Sequence, residues 1–154
     1  TIGTNARITE IQSCIGNYQL KKLKNYIRVR NENAKIFFNK LKNCKYLIIP
    51  NHNSQIIHSY YRYTVIINNK KLSRSILMKN LKKKGVTCTV GGCPTIYNER
   101  YFVKNFNINK KNYPNAEYLK NRTLSFLVDQ TINKKDIKKV CSILLDQINK
   151  ILKK

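Results

Sequence analysis

Apolar residues recur at Ile11, Cys14, Ile15, Tyr18, Leu23, Tyr26, Ile27, Ala34, Phe37, Phe38 and Leu41, close to the 3.6-residue period of an α-helix. The spacing predicts a helix over residues 9–41. Thr9 and Gln12 form a capping box, in which hydroxyl and carboxamide satisfy amides that a first turn leaves unpaired. A kink is expected near Gly16-Asn17 or over residues 31–33, because both stretches weaken a long helix. Residues 43–59 read as loop and short strand around Pro50. Residues 60–67 alternate as a strand, with Tyr61, Tyr63, Val65 and Ile67 on one face and Tyr60, Arg62 and Thr64 largely opposite.

Beyond the Asn68-Asn69 turn, Ser73 is placed to cap a helix carrying Ile76, Leu77 and Leu81. That helix ends at Gly85 after three lysines suited to a C-terminal dipole. A second strand is expected at residues 86–90, stopped by Gly91-Gly92, and a third at 123–128. Residues 93–113 read as irregular and aromatic-rich, followed by a short helix over 115–121. Asn133 caps a last helix with apolar positions Ile137, Val140, Cys141, Leu144, Ile148, Ile151 and Leu152. The expected fold class is α/β (α+β): a long N-terminal helix and a small three-stranded, mainly antiparallel sheet with helices packed on one side. The other side then needs a neighbouring domain or subunit.

Charge changes this picture little. Lys and Arg total 31 against 7 Asp and Glu, a formal net charge of +24. A polyanion partner is one reading. However, 24 Lys, 21 Asn and 20 Ile stand beside 3 Ala, 3 Pro and 5 Gly, the bias of AT-rich coding, and the lysines are scattered rather than striped. Five cysteines without a C-x-x-C pair fit reduced, partly buried thiols, with Cys14, Cys88 and Cys141 inside apolar segments. Cys88, Cys93, His52 and His58 lack zinc-ligand spacing, so no metal site is expected. No apolar run is long enough for a transmembrane helix and no secretory leader opens the chain, so a cytoplasmic location with no membrane contact is expected. The chain starts on Thr1 and meets a helix signal almost at once, as if its beginning were missing. Phosphate loops, G-x-S-x-G and H-E-x-x-H are all absent. The residues alone establish an α/β domain with no self-contained catalytic set.

A family likeness adds more. The run Gly3-Thr4-Asn5-Ala6-Arg7-Ile8-Thr9-Glu10-Ile11-Gln12-Ser13-Cys14-Ile15-Gly16, followed by Gln19-Leu20 and Lys22-Leu23, resembles the G-x-N-x-R-(M/I)-(T/S)-E-(L/I)-Q-A-A-I-G…Q-L-x-K-L signature of the DegT/DnrJ/StrS sugar-nucleotide aminotransferases. Arg30, Ala34 and Phe37 resemble the family's R-x-x-x-A-x-x-(Y/F) run, and residues 58–63 its H-x-Y-Y-x-Y strand. Arg74 through Val86 resembles its R-x-x-L-x-x-x-L-x-x-x-G-(I/V) helix and strand. Pro94-Thr95-Ile96-Tyr97 with Phe102 is similar to its active-site loop, and Pro114-Asn115-Ala116 and residues 124–128 to its last short helix and strand. Ala6, Lys24 and Asp129-Gln130 depart from the pattern.

The resemblance implies the small C-terminal domain of a type I aminotransferase. Residues 1–42 would connect to an N-terminal large domain, absent here, that binds pyridoxal 5'-phosphate through a lysine; residues 43–154 would form the small domain. It also implies transfer of an amino group from glutamate to a nucleotide-linked keto sugar, for cell-surface polysaccharide or related sugar biosynthesis, by a homodimer. Asn5 and Arg7 match the positions that approach the cofactor phosphate, while His58 and Tyr97 match positions near the substrate. No catalytic residue is expected in this chain, which alone would not transaminate. Two other readings are a basic nucleic-acid-binding module, which the lack of any groove-reading motif disfavours, and a non-catalytic interaction domain.

Overall fold

The structure, a computed structural model, describes residues 7–50, 55–91 and 95–153. Helix α1 (Glu10–Leu41) opens on the expected capping box: the Gln12 amide donates to Thr9 Oγ1 at 3.3 Å, and the Thr9 amide to Gln12 Oε1 at 3.0 Å. The helix runs unbroken for 32 residues, so the expected kink is absent. Asn31 and Asn33 do not break the helix, because both side chains bond carbonyls outside it, Asn31 also sharing the carbonyl one turn back. Asn31 Nδ2 donates to the carbonyls of Ile27 and His58, both at 2.8 Å. Asn33 Nδ2 reaches the carbonyls of Val128, Asp129 and Ile132 at 3.2–3.4 Å, tying the helix to the chain after the sheet.

Strands β1 (Leu47–Ile48), β2 (Tyr63–Ile67) and β3 (Thr123–Phe126) form one antiparallel sheet in that order. The strand count matches expectation but the membership does not. Residues 86–90 contribute only a single bridge, Thr89 to Ser125, on the outer edge of β3. Gly85 (φ +73°) and Gly91 (φ +72°) bracket that segment and turn the chain at both ends, so little of it stays in register. The third strand comes instead from residues 47–48. Tyr61 also departs from its expected inward face: it is 74% exposed, because Tyr60 adopts φ +42° and breaks the alternation before β2 begins.

Helices α2 (Arg74–Lys83), α3 (Arg100–Asn105), α4 (Pro114–Lys120) and α5 (Lys134–Leu152) complete the fold. Single 3₁₀ turns lie at Ile96–Asn98 and Lys110–Asn112, inside the stretch expected to be irregular, but α3 also lies there and corrects that expectation. Ser73 occupies the cap position of α2, but its hydroxyl pairs with Ser75 Oγ at 2.9 Å instead of capping an amide. Gly85 ends α2 as expected, with its amide on Lys82 O and the Val86 amide on Leu81 O, each at 3.0 Å. Asn133 Oδ1 accepts from the Asp136 amide at 2.8 Å, capping α5.

The core fills the space between one sheet face and α1, α2 and α5. Tyr63, Val65, Ile67, Leu124 and Phe126 meet Phe37, Leu41, Leu77, Leu81, Ile137, Leu144 and Ile148, all nearly or wholly inaccessible. Phe37 is the keystone, stacked on Tyr63 at 4.9 Å and on Phe126 at 5.6 Å between ring centroids. Only the C-terminal part of α1 takes part; its buried residues are Asn33, Ala34, Phe37 and Leu41. Cys14, expected in an apolar interior, is exposed for the same reason, whereas Cys88 is half-buried and Cys141 buried.

Candidate functional site

Three places carry the residues that sequence singles out. The first is the start of α1. Arg7 is exposed two residues before the Thr9 cap. Asn5 lies outside the described residues. Ile8 stands just before the Thr9 cap, and Ile11, Ile15 and Tyr18 follow inside α1 at spacings of four and three, which places these three on one helical stripe. The four are 67%, 75%, 58% and 59% exposed. An amphipathic helix buries such a stripe. Here nothing within the described residues covers it.

The second place is the approach to β2. Asn31 anchors the carbonyl of His58, and His58 Nδ1 accepts the Tyr60 amide at 2.8 Å, which assigns the proton of the neutral ring to Nε2. The two rings lie 4.3 Å apart, tilted by 47°. His58, Pro50, Tyr60, Arg62, Tyr63 and Thr64 line a cavity of about 130 Å³. Burial pushes the Tyr60 phenol above its ordinary pKa. Arg62 Nη1 donates to Thr89 Oγ1 at 2.7 Å, and the Thr64 and Ser125 hydroxyls are 2.6 Å apart. These contacts tie the polar face of β2 to the outer edge of β3. A half-buried imidazole whose Nε2 carries a proton suits a hydroxyl or phosphate oxygen.

The third place surrounds Tyr97, in the 3₁₀ turn Ile96–Asn98. Tyr97 is 7% exposed, with its ring stacked on Tyr113 at 5.4 Å and its hydroxyl donating to Glu117 Oε1 at 2.6 Å. That hydroxyl is the main cause holding the Glu117 carboxyl below the usual carboxylate range, helped by Lys120, whose Nζ lies 3.6 Å away, and by Lys110. Burial and then the Glu117 bond push the Tyr97 phenol up. Beside the turn a cavity of about 410 Å³ is walled by Arg74, Gly91, Thr95, Ile96, Lys120 and Thr123 among others. Arg74 Nη1 donates to the Lys120 carbonyl at 2.9 Å, pinning α2 to the end of α4.

The fold therefore sets His58 on one cavity, buries Tyr97 beside another that it does not line, and leaves Arg7 on open surface. Sequence reasoning missed Glu117, Tyr113 and Thr89. Glu117 sits twenty residues from its tyrosine, a separation without any local periodicity to reveal it. Among the described residues no three His, Cys, Asp or Glu side chains are grouped to hold a metal ion, and no helix is long and apolar enough to cross a membrane.

Residues 1–145 match the family model described as the DegT/DnrJ/EryC1/StrS aminotransferase family. A GDP-4-keto-6-deoxy-D-mannose 3-dehydratase from Escherichia coli O55:H7 is 33% identical over 125 residues, covering 76% of this chain and 30% of its own. An aminotransferase from Psychrobacter cryohalolentis superposes with a TM-score of 0.84 at 26% identity, over 99% of this chain and 42% of that one. The E. coli GDP-4-keto-6-deoxy-D-mannose-3-dehydratase with bound hydrated PLP gives a TM-score of 0.81 at 29% identity, over 92% and 37%. The chain thus spans about a third to two fifths of the length of these relatives.

Proposed function

Since the chain belongs to the DegT/DnrJ/EryC1/StrS aminotransferase family, we propose that it supplies the small domain of a pyridoxal-phosphate enzyme acting on a nucleotide-linked keto sugar. Residues 43–154 make up that domain and residues 1–42 connect it to a large cofactor-binding domain. The observation that carries this reading is the bare stripe of Ile11, Ile15 and Tyr18 at the start of α1, with exposed Ile8 just before its cap. A stripe of that kind needs a body against it, and the relatives are more than twice as long as this chain.

The residues present fit the cofactor at one point. Arg7 is an exposed cation at the edge of the stripe, suited to the cofactor phosphate, and Asn5 would add a directional carboxamide donor. When bound, pyridoxal phosphate supplies an electron sink for bond breaking next to nitrogen. In this chain, His58 would border the sugar nucleotide from the cavity it lines, while Tyr97 holds its loop in place. Glutamate as amino donor, the homodimer and a role in polysaccharide biosynthesis belong to the same proposal. Aminotransfer and dehydration both draw on the same electron sink. A nucleic-acid module is not favoured.

The test joins the chain to the coding sequence directly upstream and compares it with the chain alone. The joined protein should bind pyridoxal phosphate, with visible absorbance, and turn over a nucleotide-linked keto sugar; the chain alone should do neither. Arg7→Ala should loosen cofactor retention without moving the melting temperature of the chain. Turnover by the 154 residues alone would refute the proposal.

A further inference from the structure

Tyr97 is poorly placed to touch a ligand. It is buried, its hydroxyl is already donated, and it does not line the neighbouring cavity, whereas Thr95 and Ile96 do. We propose that Glu117 is a positioning residue that latches the turn Ile96–Asn98 to α4 through the Tyr97 hydroxyl, and that Thr95 and Ile96 are the ligand-facing residues of that turn. This rests on the reading that the turn faces a sugar nucleotide.

The geometry gives the latch its strength. The turn is closed by the Asn98 amide donating to Thr95 O at 2.8 Å, the Glu99 amide to Ile96 O at 3.0 Å, and Asn98 Nδ2 to Thr95 Oγ1. One 3₁₀ turn does not hold its shape in water. A phenol donating to a carboxylate at 2.6 Å is a short, charge-assisted bond. The stacked Tyr113 ring limits rotation of the tyrosine about that bond. Glu117 is itself fixed, because it lies in the first turn of α4, close to Lys120 Nζ, and Arg74 clamps the carbonyl at the helix end. The same helix supplies Ala116, Leu119 and Lys120 to the cavity that Thr95 and Ile96 also line. Glu117 thereby sets the spacing of the turn from α4 there. Ile96 is 59% exposed and projects from a turn that its buried neighbour holds still.

Hydrogen exchange of the chain tests the latch. Glu117→Leu and Tyr97→Phe should each speed exchange at the Asn98 and Glu99 amides roughly tenfold, and the double variant should be no faster than either. Glu117→Gln keeps an acceptor oxygen and should restore most of the protection. Unchanged exchange at these amides, or equal acceleration throughout the fold, overturns the latch. If Glu117→Leu does not fold, Tyr97→Phe and Glu117→Gln decide the matter. Kinetics of the protein joined to its upstream sequence test positioning. Glu117→Leu should raise KM for the nucleotide sugar roughly tenfold and leave KM for the amino donor unchanged. Faster exchange with an unchanged KM overturns the positioning role. If the joined protein takes up no cofactor, the proposed function falls, and exchange still judges the latch.

Discussion

Gly85 and Gly91 offer a controlled measurement, because they share one backbone conformation in different surroundings. Their φ values are +73° and +72°. A Cβ added at Gly85 meets nothing within 4 Å, whereas one at Gly91 lies 2.9 Å from Thr123 Cβ, 3.0 Å from its Oγ1 and 3.2 Å from Ser125 Oγ. Thr123 cannot easily give way, since its hydroxyl donates to Val90 O at 2.8 Å and its backbone belongs to β3. Left-handed backbone costs an alanine about 1–2 kcal/mol at either position. Overpacking adds about 1–3 kcal/mol at Gly91 alone. Gly85→Ala should therefore cost about 1–2 kcal/mol and Gly91→Ala about 2–5 kcal/mol. At about 2–4 °C per kcal/mol for a chain of this size, the melting temperatures should fall by about 2–8 °C and 4–20 °C. Urea and thermal unfolding followed by circular dichroism measure both. Equal losses would refute the close approach of residue 91 to β3, and with it the bridge that places Thr89.

Replacing both Ile11 and Ile15 by Ser should leave the melting temperature of the chain unmoved while weakening its association with a separately expressed large domain. Burial of their remaining exposed surface is worth about 2–4 kcal/mol together, or roughly two orders of magnitude in Kd, and calorimetric titration showing no weakening would contradict the docking role of the stripe. Iodoacetamide at mildly alkaline pH should modify Cys14 in the native protein, while Cys141, buried and pushed up to about 12 by its burial, should react only on unfolding; mass spectrometry of the labelled peptides checks the order. Lys134 beside Glu32, with Arg28 on its other side, holds the Glu32 carboxyl below its ordinary value of 4.5. Because the folded value is the lower one, these pairs stabilise the fold above about pH 4.5 and are lost as the pH falls through the folded value. Glu32→Gln should flatten the acid limb of the stability curve, and an unchanged slope would count against the pairing.

Elements whose signal is local were legible in the sequence. Thr9 with Gln12, Asn133 with Asp136, and Gly85 after α2 all use contacts within a few residues, and each appears where the pattern places it. The long period of α1 was legible too, but not its division into a packed end and a bare one, since apolar spacing marks a face without saying what meets it. Residues 86–90 misled because β-branched and small residues fit a strand wherever they occur, while pairing is decided by Gly91 and by the distance to β3. Tyr61 misled through the single left-handed residue before it. For the site, the resemblance singled out His58 and Tyr97, but the bonds that define their surroundings span twenty to twenty-seven positions and have no periodicity to betray them.

The unbroken course of α1 has a mechanical consequence. At 1.5 Å per residue, 32 residues make a rod of about 48 Å, clamped to the sheet layer along its last turns from Asn31 to Leu41, which leaves about 30 Å free. Without a hinge along it, tilting the layer by ten degrees would carry the Glu10 end through about 5 Å, given that free length. Whatever grips the isoleucines at that end must travel with the layer or hold it still.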